Sequence, residues 1–216
     1  MLKGALVARG SKIMSDGKEN FVALDTLDTD IQCELRYYST ENFTGEKVPG
    51  YQASRCFLSK PAAQALLKVE KDLKKLGLGL KIFDAYRPQT AVNHFIAWSE
   101  QDNKNAMKQR FYPNLEKKDL FNGYLSCKSG HSRGSSIDLT LINSQGQELD
   151  MGTEFDYLDE LSHTHSQNVS EQAQNNRLIL KQAMEKHGFE NYHREWWHFS
   201  LINEPHPDTY FDFVIE

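Results

Sequence analysis

The run Ser135–Ile142 constrains this chain most. Ile137, Leu139 and Leu141 fall on one side of an extended backbone, and Asp138 and Thr140 fall on the other. Such a strand must lay its aliphatic face on a core while holding a carboxylate on the opposite side. Helices to build that core are legible. Pro61 in a first turn, then Ala62, Leu66, Val69, Leu73 and Leu76 at steps of four and three, then Gly77 as a stop, predict a helix from Ser59 or Lys60 to Gly77. A second helix is predicted from about Thr90 to Ser99, burying Ala91, Phe95 and Trp98. A third runs from near Ser170 to Gly188, with Ala173, Leu180, Met184 and His187 along its stripe. Phe21–Leu24, Leu78–Tyr86 and Glu195–Ile202 read as further strands, and Glu100–Asp119 as a polar, partly helical surface stretch. Strand and helix blocks that do not alternate regularly predict an α+β fold, a mostly antiparallel sheet with packed helices. With 216 residues and no internal repeats or linkers, one domain is expected, over 20–216, after an irregular N-terminal extension, 1–19.

The charge balance of 25 Lys+Arg against 30 Asp+Glu has the wrong sign for a nucleic-acid binder, which works by neutralising phosphates. No segment approaches the ~20 apolar residues that span a bilayer. The stretch Gly4–Ala8 is too short for the apolar region of a signal peptide, roughly 7–15 residues. A cytoplasmic protein is therefore expected, with a periplasmic one as the alternative if a signal has been removed. Cys33 and Cys56 read as packing thiols. No sequence feature speaks to oligomeric state.

Two segments carry chemistry. Ser129-Gly-His131-Ser-Arg-Gly134-Ser-Ser-Ile-Asp138 sets a His and an Asp around a Gly/Ser-rich turn, and Glu195-Trp-Trp-His198 sets a carboxylate three residues before a His. Two imidazoles and one carboxylate suit Zn²⁺ with a fourth position left for water, and Glu195 could accept that water's proton. Each residue has a plainer reading. A strand His is usually a hydrogen-bonded core residue, and Asp138 could sit solvated on an edge strand. In a regular strand Glu195 and His198 would also point to opposite faces, so Glu195 must sit on a turn or bulge before the strand. Cys127, four residues before His131, raises a thiolate nucleophile, but that would need His131 as its base. His163 and His165 lie in a polar loop without acidic or Cys partners and read as solvated.

Ser-x-His-x-x-Gly-x-x-x-Asp followed by Glu-x-x-His resembles the zinc D-Ala-D-Ala peptidase superfamily, whose fold is shared with the Hedgehog signalling domain. Glu41-Asn-Phe-Thr-Gly45, Asp84-Ala-Tyr-Arg-Pro88, Met151-Gly-Thr-Glu-Phe-Asp156, Glu195-Trp-Trp-His198 and Tyr210-Phe-Asp-Phe213 resemble, in order, its VanX-type D-alanyl-D-alanine dipeptidases. The resemblance implies one Zn²⁺ per chain on His131, Asp138 and His198, with Glu195 as general base and Arg87 stabilising the tetrahedral intermediate. It also implies that Asp156 and Tyr37 hold the dipeptide's ammonium, that Ser129 and Tyr51 lie near its carboxylate, and that Trp196 lines the pocket. The chain departs from the family form at Tyr38, Ser39, Thr40 and Gly130. The implied reaction is hydrolysis of D-alanyl-D-alanine to two D-alanines, serving either glycopeptide resistance or D-alanine recovery. The alternatives are a D,D-carboxypeptidase acting on peptidoglycan stem peptides and a metal-stabilised binding module without catalysis.

Overall fold

The computed structural model describes residues 11–101 and 106–216. Gly4–Ala8 and positions 102–105 of the polar stretch lie outside the described residues. The strands are β1 (Lys12–Met14), β2 (Phe21–Ala23), β3 (Gln32–Cys33), β4 (Phe57–Ser59), β5 (Gly79–Asp84), β6 (Ser136–Ile142), β7 (Phe189–Asn191), β8 (His198–Leu201) and β9 (Thr209–Phe211). The helices are α1 (Lys60–Lys74), α2 (Gln89–Ser99), α3 (Lys108–Phe111) and α4 (Glu171–Lys186). Five strands form the main sheet in the order β3-β5-β6-β8-β7, and within it only β3 and β5 pair in parallel. The fold is thus α+β with a mostly antiparallel sheet, as the block pattern predicts.

Strand β6 is the middle of that sheet, and all seven of its residues are buried. The edge-strand reading of Asp138 is therefore wrong: the residue is 2% exposed. Helix α1 places Ala62, Leu66, Val69 and Leu73 in the core, but ends before Leu76, which is exposed on the turn that follows. Ser170 caps α4 by accepting from the Ala173 N–H at 3.1 Å. His187 falls just past the end of α4 rather than along its stripe, and its Nε2 lies 2.9 Å from Asp72 on α1.

Two boundaries and one cysteine assignment differ from the sequence reading. Lys12–Met14, expected in an irregular extension, pairs in parallel with Thr209–Phe211. Strand β8 begins at His198, so Glu195–Trp197 form the turn that the site requires. Cys33 and Cys56 are not packing thiols but a disulfide, with Cα atoms 6.3 Å apart. The two ends meet through long-range contacts that local patterning does not reveal. The Leu35 amide donates to Ser54 Oγ at 3.2 Å, the Glu34 amide donates to the Ile82 carbonyl of β5, and the Tyr86 amide, just past the end of β5, donates to the Phe57 carbonyl. The bond closes the loop 34–55, which carries Tyr37 and Tyr51. Chain entropy gives a closure of this length a stabilisation of about 3 kcal/mol.

Candidate active site

Three neighbouring strands present one row of functional groups. Asp84 of β5 is the cross-strand partner of Asp138 of β6, which is in turn the partner of His198 of β8. Directly opposed residues share a face of the sheet, so the row converges on one side of it. An irregularity in the ladder between Ile82 and Asp84 re-aims the end of β5 at this point.

His131 reaches the row from a single 3₁₀ turn, Gly130–Arg133. Ser129 caps that turn, its Oγ accepting from the His131 N–H at 3.2 Å. Gly134 ends the turn at φ +81°, where a Cβ would collide with the Phe21 ring, so glycine is required. His131 Nδ1 donates to the Ala85 carbonyl at 2.7 Å, which leaves the Nε2 lone pair aimed inward.

His131 Nε2 lies 3.1 Å from His198 Nδ1 and 3.3 Å from Asp138 Oδ2, and His198 Nδ1 lies 2.9 Å from Asp138 Oδ1. Donors about 2.0–2.1 Å from a tetrahedral zinc stand roughly 3.3 Å apart, close to the separations of the two imidazole nitrogens from each other and from the two Asp138 oxygens, so the three residues suit such an ion. Among the described residues no other trio of His, Cys, Asp or Glu donors is so close, and His163 and His165 join none. Burial would raise the Asp138 carboxyl, but the charge and hydrogen bonds of His131 and His198 outweigh it and hold the group well below the usual carboxylate range. Burial pushes His198 down against the pull of Asp138, favouring the neutral imidazole that a metal needs.

Glu195 lies on the turn before β8, with Oε2 3.8 Å from His198 Nδ1. Burial, together with the charges of Asp138 and Asp156, pushes its carboxyl well up, and Arg87 opposes this. Arg87 donates from Nε to Asp84 at 2.9 Å, and its Nη2 lies 3.6 Å from Asp138. The Tyr37 ring lies under the guanidinium, 5.0 Å away, and the Tyr37 hydroxyl donates to Asp156 at 2.9 Å. Asp156 has φ +62°, the one non-glycine residue in the left-handed region among those described. Aspartate tolerates that conformation, which here aims a buried carboxylate at the cavity. Burial pushes Asp156 well up, with Asp138 adding to the shift.

These groups line a cavity of about 390 Å³ whose wall includes Tyr37, Arg87, Ser129, Asp156, Glu195 and Trp197. A family model described as D-ala-D-ala dipeptidase, in the peptidase M15 group, matches residues 17–216. The chain belongs to this family. It is 40% identical over 200 residues to a D-alanyl-D-alanine dipeptidase of Enterococcus faecalis, covering 92% of this chain and 99% of that one. A dipeptidase of Streptomyces coelicolor is 41% identical over 198 residues, covering 91% and 98%. A solved zinc complex of a vancomycin-resistance D,D-pentapeptidase aligns at TM-score 0.40 and 10% identity, over 68% of this chain and 74% of that one.

Two residues expected in this dipeptidase's pocket wall stand behind it. Trp196 is buried with its indole N–H donating to Thr153 at 2.8 Å, and Trp197 lines the cavity instead. Tyr51 is buried with its hydroxyl donating to Asp84 at 2.7 Å, so it supports the partner of Arg87 rather than facing the cavity. The sequence reading also passed over Asp84, although its spacing of three from Arg87 at a strand end was visible. Arg177 had no such signal. It is fully buried, and its guanidinium donates to the carbonyls of Met151, His163 and Leu161 at 2.7, 2.8 and 3.0 Å. It therefore clamps the segment that carries Asp156, and burial brings it down to about 10. His163 is half-buried rather than solvated, with Nε2 3.4 Å from the Tyr124 hydroxyl. Cys127 has an exposed free thiol.

Proposed function

We propose that this chain is a zinc-dependent dipeptidase that hydrolyses D-alanyl-D-alanine to two D-alanines, with one zinc held by His131, Asp138 and His198. The observation that carries the reading is a buried carboxyl group, Asp156, fixed in the same cavity as the three donors, Glu195 and Arg87, whose ionised form a substrate ammonium would stabilise. A free ammonium matches that anion, whereas an acylated amine would leave it buried and unpaired.

Zinc, when bound, supplies Lewis acidity that polarises the scissile carbonyl and lowers the pKa of water. The remaining steps belong to the chain. Asp156, with Tyr37 donating to it, holds the substrate ammonium. The Ser129 oxygen accepts from the His131 amide, so its own O–H is free to donate to the substrate carboxylate. Glu195 accepts the proton of the attacking water and passes it to the leaving amine. The Arg87 guanidinium, held by Asp84, pairs with the oxyanion, a charge present only near the transition state.

The decisive assay compares D-Ala-D-Ala, L-Ala-L-Ala and N-acetyl-D-Ala-D-Ala, each with and without a chelator. Turnover of the first alone, lost with chelator and restored by zinc, is the expected result. Rapid cleavage of the acetylated peptide would instead favour a carboxypeptidase.

The disulfide bears on location. Such bonds persist in oxidising compartments and are rare in the cytosol. A Cys33–Cys56 bond in the cell would favour the periplasmic alternative, and a reduced pair the cytoplasmic expectation. Thiol titration of fractionated cells should find one reactive thiol, Cys127, in protein recovered outside the cytoplasm. Three reactive thiols in a cytoplasmic pool would instead support the cytoplasmic expectation.

A further inference from the structure

One stretch of cavity wall lies outside every motif discussed above. Phe121, Gly123, Tyr124, Leu125 and Ser126 line the cavity at and just after the end of the 3₁₀ turn Lys117–Phe121. Within the segment, the Tyr124 and Leu125 amides both donate to the Leu120 carbonyl. The Tyr124 hydroxyl also lies 3.4 Å from His163 Nε2, and two further anchors come from the turn that carries Glu195. The Tyr192 hydroxyl donates to the Gly123 carbonyl at 2.6 Å, and Arg194 Nη1 donates to the Asn122 carbonyl at 3.0 Å. Gly123 has φ +124°, a backbone conformation that favours glycine, and a Cβ there would displace the Arg194 guanidinium.

Tyr192 is also bound into the catalytic turn. Its amide donates to the His198 carbonyl at 3.0 Å, and its own carbonyl accepts from the Glu195 amide at 2.9 Å. Its ring stands edge-on to the His198 ring at 6.1 Å. The backbone of this residue thus belongs to the turn of the base and the metal ligand, while its hydroxyl holds the rim. Tyr192 itself also lines the cavity. A cavity wall fixed in this way would slow the escape of a bound ligand.

We propose that Tyr192 is a positioning residue that ties the rim segment 121–126 to the turn carrying Glu195, and so sets how tightly substrate is held rather than how fast it reacts. The proposal rests on the dipeptidase reading for the identity of that substrate. Tyr192→Phe keeps the ring and removes only the tether. In the zinc-loaded enzyme, KM for D-Ala-D-Ala should rise about fivefold, the equivalent of one ordinary hydrogen bond, with kcat within about twofold. Amide hydrogen exchange over 121–126 should quicken in the same variant, and in Arg194→Gln, which removes the second tether. Unchanged exchange in both variants would overturn the proposal. A fall in kcat at unchanged KM would overturn it too, because the hydroxyl would then act on the chemistry. If the wild-type enzyme does not turn over the dipeptide, the dipeptidase reading fails by itself, and the exchange comparison still decides the tether.

Discussion

Glu195→Gln is expected to lower kcat on D-Ala-D-Ala by about 10²–10⁴-fold, the range that a positioned general acid–base contributes. The variant should still bind zinc, because the three donors lie on other side chains. Folded stability should not fall with activity. Burial and the neighbouring charges of Asp138 and Asp156 disfavour the Glu195 carboxylate, and a neutral amide of the same size avoids that opposition. The site thus holds a group that costs stability where the reaction needs it, a common arrangement at catalytic centres. Steady-state kinetics, metal content and a melting curve on one preparation test all three statements. Turnover within tenfold of wild type would remove Glu195 from the role of base.

Arg87→Ala is expected to lose about 10²–10³-fold in kcat, the effect of removing one preorganised oxyanion donor. Here stability should fall as well. Asp84 is 0% exposed, and its principal charge partner is Arg87 Nε at 2.9 Å. Removing one member of a buried pair costs about 3–5 kcal/mol, because the remaining charge is left uncompensated. The two losses can be separated. Asp84→Asn in the Arg87→Ala background removes the stranded charge, so denaturant midpoints should recover while kcat stays low. Arg87→Lys should rescue little, since an ammonium cannot keep both the Asp84 contact and a second donor directed at the substrate. If Arg87→Ala retained kcat within about fivefold, the oxyanion role would be wrong, whatever its effect on stability.

The site is only partly local in sequence. His131 and Asp138 lie on one turn-and-strand segment, and Glu195 and His198 on another, so their spacings were readable and the structure brings both segments together. The need for Glu195 to stand off the strand was also readable, because an odd spacing in a regular strand puts the two side chains on opposite faces. Helix α1 was legible to within a turn because proline, an aliphatic stripe and glycine all agree along one short segment. That Trp196 and Tyr51 stand behind the cavity wall was not readable, for a different reason. Both are large aromatic residues beside the site, and only packing decides which of two adjacent rings faces a cavity.

The amino-acid sequence by itself determined the three long helices, the main strand runs, the α+β class and the residue types able to hold a metal and move a proton. These follow from local periodicity and from the chemistry of single side chains. Tertiary structure alone decided the register that sets Asp84, Asp138 and His198 in one row, the joining of Cys33 to Cys56, the Arg177 clamp and the hold of Tyr192 on the rim. The physical reason is that strand register and long-range contacts are chosen by the whole core at once. A slip of one residue would turn Asp138 to the opposite face of the sheet while leaving every local pattern unchanged.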